Sequence, residues 1–315
     1  MRRQGLARAW RLLRIGLLAA ALALAGFLLY RTLGRYELDE LVRSVRAVSG
    51  PELLLAGLFA AAGYLCQTLF DWLGLRYAGR PLAFRRAALA SFVSLSIGHN
   101  LGVAALSSGA IRYRFYSRWG LDGPEVARVI LFCGITVGLG LASLGGIAIA
   151  LRPDLAQDML RVERPVVLGV AAAFLAVPAV WLGLAATLRR PLGLGRWSLR
   201  MPTLRLAAAQ LALGPLNFAF VAASLHQTIS AVADLPYLAT ACVYVIANIA
   251  TLVTHVPGGL GIIESAVVFL LPHADLIGAV LVFRFVYFLV PLGIGGALFA
   301  AAELRWRSGA ARSRD

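Results

Sequence analysis

The sequence predicts an all-α polytopic membrane protein with about six full spans and two oppositely oriented re-entrant, broken-helix hairpins. Three observations lead there. Of 315 residues, 60% are hydrophobic and only 14% charged, with a mean hydropathy of +0.80. A soluble domain carries about 25% charged residues, so this chain has too little polar surface to cover a water-facing body. Apolar runs of roughly 20 residues recur along its length. Two of those runs are interrupted by breaks bearing glycine and histidine.

The N-terminus, 1–14, is basic through Arg2, Arg3, Arg8, Arg11 and Arg14, and an apolar stretch follows from Ile15 to Tyr30. Because that run continues through Phe27, Leu28 and Leu29, it reads as an uncleaved first span. The alternative is a signal peptide cut near Ala23-Leu24-Ala25. Further apolar segments are Pro51–Leu75, Ala87–Ile111, Val126–Ala150, Val166–Thr187, Thr203–Leu225, Leu238–Val256, Leu260–Leu271 and Ile277–Ala302. Their length and Leu, Ala, Val and Gly content argue helices, since barrel strands would be about 10 alternating residues. One membrane domain, 15–302, therefore precedes a short basic tail, 303–315.

The net charge is +15, and every basic residue is Arg. Without Lys the chain cannot supply the lysine of a P-loop or a Schiff base, which excludes ATP-driven transport by this chain alone. Basic character here reports loops facing anionic lipid rather than nucleic acid. Cys66, Cys133 and Cys242 lie within apolar runs without metal-ligand spacing and read as small core residues. Neither a metal nor a cofactor is expected.

Arginine also sets the expected topology. Arg76, Arg80, Arg85 and Arg86 share one loop; Arg112, Arg114, Arg118 and Arg128 the next; Arg189, Arg190, Arg196, Arg200 and Arg205 a third; Arg305, Arg307, Arg312 and Arg314 close the chain. All four, with the N-terminus, are expected on the cytoplasmic side. The loops around Asp154, Asp158 and Glu163 and from His226 to Pro236 are expected outside. The stretch between Arg31 and Glu52 balances four Arg with four acids and decides nothing.

Both loops flanking Ala87–Ile111 then lie inside, so that segment cannot cross once. Midway it carries Gly98-His99-Asn100-Leu101-Gly102, and a hairpin entering from the cytoplasm resolves the conflict. Non-helical backbone at membrane depth is tolerated only where it is buried in protein or lines a cavity. Near the C-terminus, Leu260–Leu271 is too short to span at 1.5 Å per residue. A second hairpin, entering from outside and broken at His255-Val256-Pro257-Gly258-Gly259-Leu260-Gly261, restores parity. Opposed hairpins suggest an inverted repeat with a midplane site. The similarity of Val129-Ile130-Leu131-Phe132 to Val280-Leu281-Val282-Phe283 points the same way.

Ionisable groups within spans cost about 2.5–3.5 kcal/mol each at the centre, so each needs a reason. Asp71, one turn after Gln67, reads as a snorkelling or capped carboxylate or as part of a site. His99 and His255 each stand at a break. Glu264 and Arg284 can neutralise one another, or Arg284 can take a lipid phosphate, whose oxygens match its planar fork. Pro257-Gly258-Gly259 would leave free N–H groups at the positive end of the following half-helix, and Ser107-Ser108-Gly109 could do the same at the first hairpin. Arg112-Tyr113-Arg114-Phe115-Tyr116-Ser117-Arg118-Trp119 interleaves cations with aromatics, either as an interfacial belt or as a surface gathering lipid headgroups. The candidate substrate-binding set is His99, Asn100, Arg112, Tyr113, Arg114, Tyr116, His255, Gly258, Gly259, Glu264 and Arg284, with Gln67 and Asp71 as further intramembrane polar residues. No catalytic residue is assigned.

On these residues the chain resembles the transmembrane (flippase) domain of the lysylphosphatidylglycerol synthase family, the multiple peptide resistance factors, in its stand-alone form. The resemblance rests on Gly98-His99-Asn100-Leu101-Gly102, on Leu106-Ser107-Ser108-Gly109-Ala110-Ile111-Arg112-Tyr113-Arg114-Phe115-Tyr116 with Gly120-Leu121, and on His255-Val256-Pro257-Gly258-Gly259-Leu260-Gly261 with Glu264. Ser108 departs from a frequent second Gly. The resemblance implies a flippase moving aminoacylated phosphatidylglycerol outward in a bacterial inner membrane. It also implies that synthesis of that lipid is not expected, because only Glu303 to Asp315 follows the last span.

The partners implied are anionic or aminoacylated phospholipids, with a homo-oligomer or a separate lipid-modifying enzyme as protein partners. A transporter of a small anionic solute, an intramembrane enzyme built on His99, His255 and Glu264, and a non-transporting accessory protein are the competing readings. The enzyme reading finds no HExxH or comparable ligand spacing.

Overall fold

Two of the long helices begin at a capping box supplied by the sequence. Ser49 precedes α1 (Gly50–Tyr77), with Pro51 in the first turn and Glu52 Oε2 accepting the Ser49 N–H at 3.1 Å. Asp122 caps α4 (Gly123–Leu151) reciprocally: Glu125 N–H donates to Asp122 Oδ1 at 2.8 Å, and Asp122 N–H to Glu125 Oε2 at 2.9 Å. The computed structural model describes residues 46, 48–101, 104–188, 192–194, 197–271 and 276–312. The expected first span, Ile15–Tyr30, the basic 1–14 segment, and Gly102, Arg189, Arg190, Arg196 and Arg314 lie outside the described residues.

Between α1 and α4 run α2 (Phe84–Gly98) and α3 (Ala104–Arg118); after α4 come the short α5 (Pro153–Leu160) and α6 (Arg164–Thr187). A three-residue antiparallel hairpin, β1 (Leu192–Leu194) with β2 (Trp197–Leu199), leads to α7 (Leu204–Ser230) and α8 (Tyr237–Thr254). A 3₁₀ turn at Pro257–Gly259, α9 (Ile262–Leu270), α10 (Ile277–Arg284), a π turn at Phe285–Leu289 and α11 (Val290–Arg312) complete the described chain.

Among the described residues, six helical stretches are long and apolar enough to cross a membrane: α1, α4, α6, α7, α8 and the continuous Ile277–Trp306. This is a multi-pass membrane protein. Two expectations are revised. Leu238–Val256 was assigned to a re-entrant pair, but as α8 it has 18 residues, long enough to cross, and only nine-residue α9 is too short. The last helix does not stop at Ala302; it runs on through Glu303 to Arg312, because Glu303 is packed inside.

α2 and α3, 15 residues each, reach about 22 Å, short of the roughly 30 Å hydrocarbon thickness, and pack against each other. The loops at their outer ends meet. Arg80 donates to the Gly120 carbonyl at 2.9 Å and pairs with Glu125 at 2.9 Å. Tyr77 donates to the Arg200 carbonyl at 2.5 Å, and the Arg118 guanidinium lies over the Trp306 ring at 4.4 Å. The described parts of the four Arg-rich stretches therefore gather at one end of the molecule. Leu155, from the mixed-charge loop of Asp154, Asp158 and Glu163, and Leu235, from the loop 226–236 that has no Arg, pack on one and the same core cluster.

The helices approach through small residues, as membrane helices must when no hydrophobic effect drives them together. α4 crosses α7 at Gly140 and Gly214, where a Cβ on Gly140 would stand 2.5 Å from the Gly214 carbonyl oxygen. Two apolar clusters result. One surrounds Tyr64, Phe218, Tyr244, Phe283 and Tyr287; the other surrounds Phe70, Phe115, Tyr116, Val129 and Phe299.

Candidate functional site

The first break ends α2 at Gly98, with His99 as its C-cap. The second ends α8 at His255, whose φ of 55° is left-handed, and turns through Gly258 and Gly259, both at φ 59°. Only glycine takes two successive left-handed residues without steric cost, which is why Pro257-Gly258-Gly259 breaks the chain here. The turns touch: a Cβ on Gly258 would stand 3.8 Å from the His99 carbonyl oxygen and 3.8 Å from Arg284 Nη1. Two breaks about 160 residues apart in sequence thus come together.

Arg284, 3% exposed, holds the second break. Its Nη1 donates to the Gly258 carbonyl at 2.8 Å, and its Nη2 to the Gly259 carbonyl and to Glu264 Oε2, both at 2.8 Å. Its Nε donates to Glu264 Oε1. Glu264 Oε2 also accepts the Gly261 N–H at 2.9 Å, so the start of α9 is capped by its own carboxylate. The expected anion-binding helix end and the expected ion pair are one assembly.

The helix winds wide just past Arg284. The π turn Phe285–Leu289 leaves carbonyls for side chains: Tyr64 hydroxyl donates to Tyr287 O at 3.3 Å, and Asn100 Nδ2 to Phe288 O at 3.5 Å. Asn100 Nδ2 also donates to Ser96 O at 2.8 Å. The His99 ring stacks on Tyr287, centroids 6.3 Å apart, and Gln67 Nε2 donates to the Tyr287 hydroxyl at 3.2 Å.

One helical turn separates Arg112 from Tyr116, so both face inward from α3 onto Asp71 of α1. Arg112 Nε and Nη2 reach Asp71 Oδ1 and Oδ2 at 2.8 Å each, and the Tyr116 hydroxyl donates to Oδ1 at 2.8 Å. Asp71 is wholly buried. It is neither snorkelling nor capped, and the 112–119 stretch is not one surface cluster. Tyr113 points outward, while Arg114 pairs with Glu303 of α11, Nη2 to Oε2 at 2.6 Å. Helical geometry splits what adjacency in sequence suggested.

His255 is exposed and bonds locally to the Val253 carbonyl at 3.1 Å, so it does not share the interior with His99. Ser107, Ser108 and Gly109 lie inside α3 rather than at its start. No cluster of three His, Cys, Asp or Glu able to hold a metal exists among the described residues. Sequence reasoning missed Tyr64, Tyr287, Asn217 and Glu303. Scanning every span for hydrogen-bonding side chains, not only ionisable ones, finds the first three.

The family profile described as Lysylphosphatidylglycerol synthase TM region matches residues 16–295, enclosing both breaks and the Arg112–Asp71 and Arg284–Glu264 pairs. The chain belongs to this family. Within the lysylphosphatidylglycerol synthase TM family, Uncharacterized protein slr0712 of Synechocystis sp. is 30% identical over 256 residues, 79% of this chain and 80% of that protein. Inner membrane protein YbhN of Escherichia coli is 26% identical over 265 residues, 82% of each. The TM-region match covers the membrane helices themselves, so the resemblance carried by the two break motifs holds for nearly the whole chain.

Proposed function

We propose that this chain moves an anionic or aminoacylated phospholipid between membrane leaflets, with phosphatidylglycerol and its aminoacylated form as first candidates. The observation that carries the reading is the Arg284–Glu264 clasp at the meeting point of the two breaks. A guanidinium fork fits phosphate as it fits carboxylate. An aminoacylated headgroup carries both a phosphate and an ammonium, so it can replace each partner of the clasp: phosphate on Arg284, ammonium on Glu264. The exchange leaves no charge buried alone, which is the condition for passing a headgroup through a low-dielectric interior.

The wider architecture supports a lipid over a small solute. A groove of about 470 Å³ between α4 and α6, lined by Ile135, Leu139, Ala173, Val177, Val180 and Trp181, is almost wholly apolar. It suits an acyl chain and offers nothing to a free anion. In this reading α2–α3 enters and leaves from the cytoplasmic side, where the Arg-rich stretches gather, and both termini are cytoplasmic. Arg85 and Arg86, beside that end, then face anionic lipid. The membrane is the bacterial inner membrane. Without a nucleotide-binding motif, movement is passive or coupled to a gradient.

The test is lipid exchange in liposomes, read by dithionite quenching of headgroup-labelled phosphatidylglycerol and its lysyl derivative. Arg284→Ala should slow exchange at least about tenfold and lower stability by about 3–5 kcal/mol, since it strands Glu264. Arg284→Leu with Glu264→Leu should recover much of the stability, because removing a whole buried pair costs less than breaking it, yet leave exchange slow. Full recovery of exchange in the double variant would make the clasp purely structural. Equal rates with protein and with empty liposomes would favour the accessory reading.

A further inference from the structure

Most buried polar side chains in the described spans have partners. Gln210 accepts from Trp181 Nε1 at 3.1 Å and donates to Thr136 Oγ1 at 2.9 Å and the Phe132 carbonyl at 3.2 Å. Ser224 donates to the Ala56 carbonyl at 2.9 Å. Three buried atoms depart from this pattern: Gln67 Oε1, His99 Nδ1 and Asn217 Oδ1 have no hydrogen-bond partner among the described residues. Gln67 is 8% exposed and Asn217 1%. Leaving such groups unmet costs free energy, so three near one another need an explanation.

They surround one ring. Gln67 is bonded to the Tyr287 hydroxyl, and His99 is stacked on the Tyr287 ring. The point where a Cβ on Gly63 would stand is 3.0 Å from Val221 Cγ2, 3.8 Å from Asn217 Oδ1 and 3.9 Å from Tyr287 Cε2, so α1 packs closely on α7 and the π turn here. The three unmet atoms, from α1, α7 and the first break, thus mark a polar chamber around Tyr287, beside the junction of the two breaks.

The chemistry of the chamber is that of an acceptor set. Two of the three atoms are amide oxygens, which only accept, and the imidazole Nδ1 accepts in one neutral tautomer. α2 ends at Gly98, so the negative end of its dipole faces the same space. Free carboxylates are not offered, since Asp71 is taken by Arg112 and Tyr116, and Glu264 by Arg284 and Gly261. The titratable and charged groups around His99 are Tyr64 and Tyr287 by ring contact, Tyr244 behind Phe283, Cys66 on α1, and the Arg112–Asp71 and Arg284–Glu264 pairs. Neutral oxygens without a free carboxylate suit one positive charge, whereas a divalent ion takes carboxylates.

We propose that this chamber binds a single monovalent positive charge, carried as a proton on His99 Nδ1 or as Na⁺ between Gln67 Oε1, Asn217 Oδ1 and the Tyr287 hydroxyl. Loading it ties α1, α7, the first break and the π turn together, at the place where broken-helix transporters hold their coupling ions. The site stands independently of the lipid reading, because it is detected by binding and not by transport.

The experiment is thermal melting of the full chain in detergent, followed by tryptophan fluorescence in choline, sodium and potassium chloride at equal ionic strength, near pH 5.5 and near pH 8. Added Na⁺ or acidification should raise the melting temperature by about 2–4 °C. An acid response lost in His99→Gln assigns the proton; a Na⁺ response kept in that variant assigns the metal. Asn217→Leu should abolish a Na⁺ response and weaken an acid one. Gln67→Glu, which adds a carboxylate, should enlarge it, and that gain cannot come from misfolding. Melting indifferent to both ions and pH, or a response unchanged in Asn217→Leu and Gln67→Glu, would mean the chamber holds only water and overturn the proposal.

Discussion

Gly98 and Ser108 approach so closely that a Cβ on Gly98 would stand 2.7 Å from the Ser108 Cβ and 3.1 Å from its backbone nitrogen. This contact, with Ser107 Oγ donating to the Gly98 carbonyl at 3.3 Å, fixes α2 against α3 just before the first break. Gly98→Ala should therefore lower the melting temperature by several degrees, a cost on the order of 1–3 kcal/mol for forced overpacking. Ser108→Gly in the same chain should return part of the loss. Scanning calorimetry or fluorescence melting decides, and an unchanged Gly98→Ala protein would mean the hairpin arms separate freely.

Asp71 and Arg112 form a fully buried bidentate pair between α1 and α3. Removing either partner leaves the other charged in a low-dielectric interior. Asp71→Ala and Arg112→Ala should each cost about 3–5 kcal/mol, and Asp71→Leu with Arg112→Leu markedly less than their sum. Tyr116→Phe should cost only about 1 kcal/mol, because Arg112 still satisfies the carboxylate. Additive losses in the double variant would show that the two residues do not act as a pair.

The proposed topology places Ser117 inside and Asp158 outside. Both are exposed, while Cys66, Cys133 and Cys242 are buried. In a background without those three, a cysteine at 158 should react with an impermeant maleimide in intact cells and one at 117 only after permeabilisation. Labelling of both from the same side would sink the re-entrant reading of α2–α3.

Glu303 links the last helix to α3 through Arg114, in a pair of which the carboxylate is 2% exposed. Glu303→Gln should lower stability by about 1–3 kcal/mol, measured by the same melting, since it weakens two charge-assisted hydrogen bonds. An effect within error would place Glu303 at the surface in solution.

The spans were legible because a membrane imposes a length and an apolar composition that any window reveals. Both breaks were legible for the same reason: Gly98-His99 and Pro257-Gly258-Gly259 violate helix propensity amid apolar runs. The Glu264–Arg284 pair was legible because an intramembrane charge demands a partner. Asp71 was harder, since its partner lies 41 residues away within what looked like a surface belt. Glu303 was read as the start of a tail because a carboxylate ends an apolar run whether it faces water or Arg114. His99 and His255 seemed equivalent by position; one lies inside against Tyr287 and the other outside, because a C-cap residue points where its own turn aims it.

By itself, the sequence determined that the chain is helical, multi-pass and broken twice, and which ionisable groups need compensation. Those properties follow from local composition and from the cost of exposing charge or backbone to hydrocarbon. Tertiary structure alone decided that the two breaks meet, that Arg112 turns inward to Asp71, and that Gln67, His99 and Asn217 surround the Tyr287 ring. Each of these is a distance between residues remote in the chain, set by which helices pack through glycine and by how a π turn rotates Tyr287, and no local preference encodes it.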